Sequence, residues 1–167
     1  MLRCTPPSAA VNRTTPARVN AYMRTFSVLT ALAAALVLAT PAGAAVKRLE
    51  ANMTGAQEAP APHDANGSGT AKLRLNRAKK TVCFTIRVKN IDDVLAAHIH
   101  RGGKGVAGSI EVDLIGAPKS GTRFTGCERG VARSLIREIL RRPRRFYVNV
   151  HTAAFQGGAV RGQLHKP

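Results

Sequence analysis

Apolar and polar residues alternate one by one along two stretches of the chain, which is the pattern of a β-strand with one buried face. His98 and His100 share the polar face of the first stretch, and Tyr147, Asn149 and His151 share that of the second. The opposite faces are apolar, with Leu95, Ala97 and Ile99 on the first and Phe146, Val148 and Val150 on the second. If both strands belong to one sheet, its polar face collects three imidazoles.

The same alternation recurs along the chain and predicts about eight short strands. They cover residues 47–53, 70–75, 81–88, 96–100, 109–114, 123–127, 146–151 and 159–164, with the first expected at a sheet edge. In the fifth strand Ile110, Val112 and Leu114 are expected to face inwards. We therefore predict an all-β fold, an antiparallel β-sandwich or Greek-key barrel.

One segment departs from the strand period and indicates a short helix before the C-terminal strand pair. Its apolar positions recur at helical spacing: Val131, Leu135, Ile136, Ile139 and Leu140. Pro143 is expected to end this helix, because proline lacks the amide hydrogen that a further turn requires.

The N-terminus has the pattern of a secretory signal peptide. Arg24 precedes an apolar run over residues 26–38 that ends in small residues, and the run is too short for a membrane span. A buried N-terminal helix is the alternative, but the segment has no polar face. We expect a leader over residues 1–44, starting at Met23, and one domain over residues 45–167. The mature chain would then have no transmembrane span and be secreted or held in the cell envelope.

Export changes how the three cysteines are interpreted. Cys4 lies within the leader, which leaves Cys83 and Cys127 as an even pair. In an oxidising compartment such a pair predicts a disulfide, here joining a hairpin strand to the short strand before the helix. The alternative is two separate buried thiols.

The charge is strongly positive, with 26 Lys and Arg against 9 Asp and Glu. A run of arginines lies at the end of the predicted helix: Arg137, Arg141, Arg142, Arg144 and Arg145. Such a surface attracts anionic envelope polymers, although a solvated face that stabilises the helix C-terminus is the alternative. Nucleic acid is disfavoured as a partner, because the chain has no Trp and only two Tyr for base stacking. Another extracellular protein is also a candidate partner.

Histidines His98, His100 and His151 are the candidate metal ligands, and imidazole suits copper and zinc. The alternative is a hydrogen-bonded polar layer that braces loops, and no acidic residue adjoins the histidines in the sequence to orient them. Catalytic motifs such as a nucleophile elbow or a phosphate loop are missing from the sequence. The sequence therefore favours a non-enzymatic protein, with a redox-active metalloprotein as an alternative.

Three motifs in order resemble those of the CHRD domain family, here a secreted, bacterial-type member. They are residues 54–60 with 67–71, His98–His100 before a glycine-rich turn, and residues 147–152 with 157–164. The resemblance runs from Leu49 to Leu164 and implies a binding or interaction module. It also includes Tyr147, Asn149 and Arg161 as support for the polar face. Arg161 would either bind a carboxylate ligand or, as we favour, brace a loop carbonyl.

Overall fold

The computed structural model describes residues 45–167, so the predicted leader, with Met23 and Cys4, lies outside the described residues. Eight antiparallel strands form one sheet in the order β5-β4-β7-β8-β1-β2-β3-β6, which curls into a nearly closed barrel. The strands are β1 (Lys47–Thr54), β2 (Ser68–Asn76), β3 (Thr81–Lys89), β4 (Val94–Arg101), β5 (Ile110–Ile115), β6 (Arg123–Arg129), β7 (Phe146–Thr152) and β8 (Val160–Gln163). The predicted all-β antiparallel fold is confirmed, as a barrel.

The barrel interior is filled by the apolar side of each strand. In the β2–β3 hairpin, Leu73 pairs with Phe84 and Ala71 with Ile86, and all four side chains are buried. The same alternation places Ile99 of β4 in one continuous hydrophobic core, to which all eight strands contribute residues. Burial of this surface is the main stabilising contribution to the fold.

Two expectations about the strands are wrong. The first strand is not at an edge, because β8 returns beside it: Thr54 pairs with Arg161, and the Glu50 amide donates to the His165 carbonyl at 2.9 Å. Ile110 does not face inwards but is 56% exposed. It opens β5, an edge strand, next to a register shift in β4 between Ile99 and His100, and its neighbours there do not cover it.

A single α-helix in the described part of the chain, α1 (Arg133–Arg141), precedes the last two strands, as predicted. Ile136 and Ile139 on one face are fully buried in the barrel core. Its Glu138 accepts two bonds from the guanidinium of Arg101, which ties the helix to the end of β4. Pro143 opens a 3₁₀ turn after the helix has ended. No helix among residues 45–167 is long and apolar enough to cross a membrane.

The predicted disulfide between Cys83 and Cys127 is confirmed. The two residues are direct partners in the β3–β6 ladder, on the outer side of the sheet, and Cys127 is exposed. The bond therefore links β6, an edge strand, to its neighbour β3 covalently.

Removing the disulfide should lower the stability of the domain. The bond closes a loop with a sequence separation of 44 residues. The chain-entropy relation gives an upper limit of ~4 kcal/mol for the loss of unfolding free energy in a Cys83→Ala/Cys127→Ala variant. Urea unfolding of both proteins measures the difference. Two alkylatable thiols in the native protein, or equal stabilities, would contradict the prediction.

Candidate metal centre

The antiparallel pairing of β4 with β7 brings the three histidines of the sequence motifs together. In this register His98 lies opposite Asn149, and His100 lies opposite Tyr147. His151 lies two residues beyond Asn149 on β7, opposite Ala96, and is on the same outer face of the barrel. One ring nitrogen from each of the three histidines lies within 4.8 Å of the other two. His100 is buried, and His98 and His151 are partly buried.

Backbone carbonyls fix the ring orientation of two of these histidines. His100 Nδ1 lies 3.0 Å from the Gly108 carbonyl, and His151 Nδ1 lies 2.9 Å from the Gln156 carbonyl. A carbonyl only accepts hydrogen bonds, so each Nδ1 carries the proton and each neutral ring keeps a lone pair on Nε2. The His100 Nε2 is buried and has no hydrogen-bond partner among the described residues.

The third imidazole completes the cluster. His98 Nδ1 lies 3.1 Å from His151 Nε2. Because His151 Nε2 carries a lone pair, His98 Nδ1 donates this bond in the metal-free protein. The other ring nitrogen, His98 Nε2, lies 3.9 Å from a carboxylate oxygen of Asp113.

Asp113 is an acidic neighbour that sequence reasoning missed. It lies in β5, directly opposite His98, and its side chain is 56% exposed. The two residues are separated by the glycine-rich loop, so their proximity follows from strand pairing and not from adjacency in the sequence. A carboxylate beyond a metal-binding imidazole is a common orienting arrangement.

The environment keeps the three imidazoles neutral. The pKa of His98 is lowered to about 4, chiefly by burial and also by the nearby His151 and His100. Burial also lowers the pKa of His100, to which the cation of Arg161 contributes, and it lowers the pKa of His151. Metal ions bind the neutral form of imidazole, so the cluster is in its ligand form at neutral pH.

Tyr147 and Arg161 support the cluster from the neighbouring strands. The Tyr147 ring stacks on His100 with 4.9 Å between ring centroids, and the Arg161 guanidinium carbon lies 3.4 Å from the Tyr147 centroid. Arg161 is 1% exposed and donates from Nη2 to the Gly103 carbonyl at 2.6 Å. The Tyr147 hydroxyl accepts a bond from the Gly108 amide. These contacts hold the loop between β4 and β5 over the histidines.

Glu58 is a second acidic residue that sequence reasoning did not single out, although it lies within the first of the three motifs. It follows the 3₁₀ turn Gly55–Gln57 and is 7% exposed. Burial raises its pKa, an effect opposed by the Ala59 amide and by Arg161. Its Oε2 and the Asn149 Oδ1 are both buried without a hydrogen-bond partner in the described structure.

A glycine makes this close packing possible. A Cβ at Gly158 would lie 2.3 Å from Glu58 Oε2 and 2.6 Å from Asn149 Oδ1, and the glycine has φ +140°. Any side chain here would strain the backbone and displace the polar groups beneath it. The turn after β7 is therefore fitted to the polar layer.

Comparison with known proteins identifies one family. The model of the CHRD domain matches residues 49–164. No curated protein matches the chain. No solved structure matches it either. The matched region contains all three histidines, Glu58 and Arg161.

The lowered histidine pKa values predict loss of stability in mild acid. In the unfolded chain a histidine titrates near 6.5, whereas the pKa of His98 in the fold is about 4. Between these values the unfolded state binds more protons, so the free energy of unfolding falls as the pH drops from about 6.5 towards 4. Urea unfolding with a chelator present measures this dependence.

A His98→Gln variant does not titrate at this position and should show a shallower pH dependence over the same range. The matched control is His165→Gln, which changes a histidine outside the cluster and should leave the dependence unaltered. Equal slopes in His98→Gln and the unmutated protein would contradict the assignment.

Proposed function

The chain belongs to the CHRD domain family, and we propose that its domain is a binding module for one divalent transition-metal ion, zinc or copper. His98, His100 and His151 would be the ligands. A CHRD domain fits a binding module, and the histidine cluster provides the chemistry for a specific ligand.

The observation that carries this proposal is the orientation of His100 and His151. Both rings donate Nδ1–H to a backbone carbonyl and turn an Nε2 lone pair towards the cluster. Metal-binding histidines characteristically use their second ring nitrogen in this way, which fixes the tautomer and raises the basicity of the ligand atom. A lone pair that is buried and unpartnered, as on His100 Nε2, costs free energy unless a cation or donor takes it.

The donor set fits zinc and copper. Nitrogens that bind one ion at about 2.1 Å in tetrahedral geometry lie about 3.4 Å apart, so donors within 4.8 Å of one another need only small side-chain rotations. His98 presents Nδ1 to the cluster and Nε2 to Asp113. When a metal ion binds, the His98 proton would move from Nδ1 to Nε2. The Nε2–H group would then donate a hydrogen bond to the Asp113 carboxylate. Three imidazoles without a thiolate favour copper over zinc at equal availability, following the Irving–Williams order.

A polar brace is the competing function, and a specific observation favours it as well. His100 and Arg161 both hold the loop between β4 and β5, through the carbonyls of Gly108 and Gly103. A pure brace requires no ion. It would make the histidines important for stability and irrelevant to metal affinity, which an experiment can separate.

The proposed setting of the module is outside the cytoplasm. The CHRD match and the Cys83–Cys127 disulfide are both compatible with an extracellular protein. We propose that residues 1–44 are removed on export and that residues 45–167 act as a single, non-enzymatic domain in the envelope or beyond it.

Metal titration of the untagged protein tests the proposal. Calorimetry with Zn²⁺ and with Cu²⁺ should show one site, and a His100→Ala variant should bind at least about 100-fold more weakly, because two imidazoles hold a divalent ion poorly. A His165→Ala variant, which removes a histidine outside the cluster, should bind as the unmutated protein does. Asp113→Asn should weaken binding by about tenfold.

The brace predicts a different result for the same variants. Loss of the His100 side chain would then lower the unfolding free energy by ~1–3 kcal/mol, equally with and without metal, by leaving the Gly108 carbonyl without its donor. A stability loss that added zinc or copper does not alter, together with no stoichiometric binding to the unmutated protein, would reject the metal site.

A further inference from the structure

A second surface, outside the histidine cluster, is built from arginines. Arg133, Arg137 and Arg141 recur every four residues along α1, so they form one exposed stripe about 12 Å long on the helix surface. The stripe continues through exposed arginines of the following turn: Arg142, Arg144 and Arg145. We call these six residues the cationic track.

Shallow concavities lie along this track, and neighbouring ones share lining residues. The first, about 480 Å³, is lined by Arg77, Arg133 and Arg137, and the second shares Arg137 with it and reaches Arg142. The third, about 510 Å³, shares Arg142 and extends to Arg145. These volumes lie in the range of ligand sites, roughly 300–1,000 Å³. The six arginines therefore line adjoining, open depressions of the surface.

The positive charge of the track is not neutralised by the protein. Among residues 45–167, no ion pair is formed by any of its six arginines. Glu138 is the only acidic residue of α1, and both its carboxylate oxygens accept bonds from Arg101, which lowers its pKa. Like charges four residues apart repel one another and destabilise a helix.

Stabilisation of the helix C-terminus explains only part of this arrangement. Cations in the last turn interact favourably with the helix dipole, which accounts for Arg141. Arg133, by contrast, lies in the first turn, where a cation is unfavourable, and Arg137 lies in the middle. The helix dipole therefore does not account for these two positions, of which Arg133 also donates to the Ala78 carbonyl at 3.4 Å.

The far end of the track adds neutral hydrogen-bonding groups. A further concavity shares Arg144 and His165 with the third one, and Asn52, Gln57 and Lys104 also line it. Amides beside cations match a ligand that carries hydroxyl groups as well as acidic groups. A bare phosphate chain offers no hydroxyls to these amides.

We propose that the cationic track binds a linear acidic polysaccharide, with guanidinium groups pairing bidentately with its carboxylates. A membrane surface fits less well, because the apolar side chains Ile136 and Ile139 of α1 are buried and do not reach a bilayer. The exposed large apolar residues of the described chain lie elsewhere, at Val46, Val106 and Ile110. This inference is independent of the proposed metal site.

Binding to polygalacturonate, measured by interferometry with polyphosphate and phosphatidylglycerol vesicles as parallel ligands, tests the proposal. The unmutated protein should prefer the polysaccharide. Replacing Arg133, Arg137 and Arg141 by Gln should weaken binding roughly tenfold or more and reduce its salt dependence. The control replaces three exposed cations of β3 and β6, Arg87, Lys89 and Arg123, by Gln and should change binding by less than about twofold.

Equal losses in the two triple variants would show attraction to net charge alone and overturn the proposal. Tighter binding to polyphosphate or to vesicles than to polygalacturonate would overturn the choice of polysaccharide. Circular dichroism checks that the Gln variant is folded. If it is not, the same three positions changed to Lys keep the charge without the planar fork, and binding as tight as that of the unmutated protein would overturn bidentate pairing.

Discussion

The pairing of β4 with β7 is the constraint on which the rest of the site depends. With His98 opposite Asn149 and His100 opposite Tyr147, the polar residues of both strands lie on one outer face. A shift of one residue would turn every side chain of a strand to the opposite face. It would move the imidazoles into the core and expose Ile99, which is fully buried. The hydrophobic core and the histidine cluster are therefore specified by the same register.

The polar face is unusual because it is itself buried, under loops instead of under a second sheet. Such burial is tolerated only when the polar groups find partners, and the loop between β4 and β5 supplies carbonyls to His100 and Arg161. Some buried polar atoms nonetheless lack hydrogen-bond partners in the described structure, among them His100 Nε2, Glu58 Oε2 and Asn149 Oδ1. Each such group costs about 1–3 kcal/mol. An ion bound by the histidines would offset the first of these costs.

Local patterns predicted what depends on local geometry. Alternation located the strands and most of their buried faces, although it placed the exposed Ile110 inside, and the remaining cysteine pair indicated the disulfide. Local patterns do not show which strands that are distant in the sequence pair in the sheet. For this reason β1 was expected at an edge, whereas β8 lies beside it. For the same reason Asp113 was missed, because β5 lies next to His98 only in the folded sheet. Glu58 lies within the first of the three family motifs, but hydrophobic periodicity could not indicate it, because it lies in a loop that turns back over the site.

Nitrogen NMR of the imidazole rings tests the metal centre most directly, because it reports which ring nitrogen carries the proton. In the metal-free protein at neutral pH, we expect His98, His100 and His151 all to be protonated on Nδ1 only. One equivalent of Zn²⁺ should shift both Nε2 resonances of His100 and His151 and move the proton of His98 to its Nε2. Protonation of His100 or His151 on Nε2, or spectra that zinc leaves unchanged, would contradict the account.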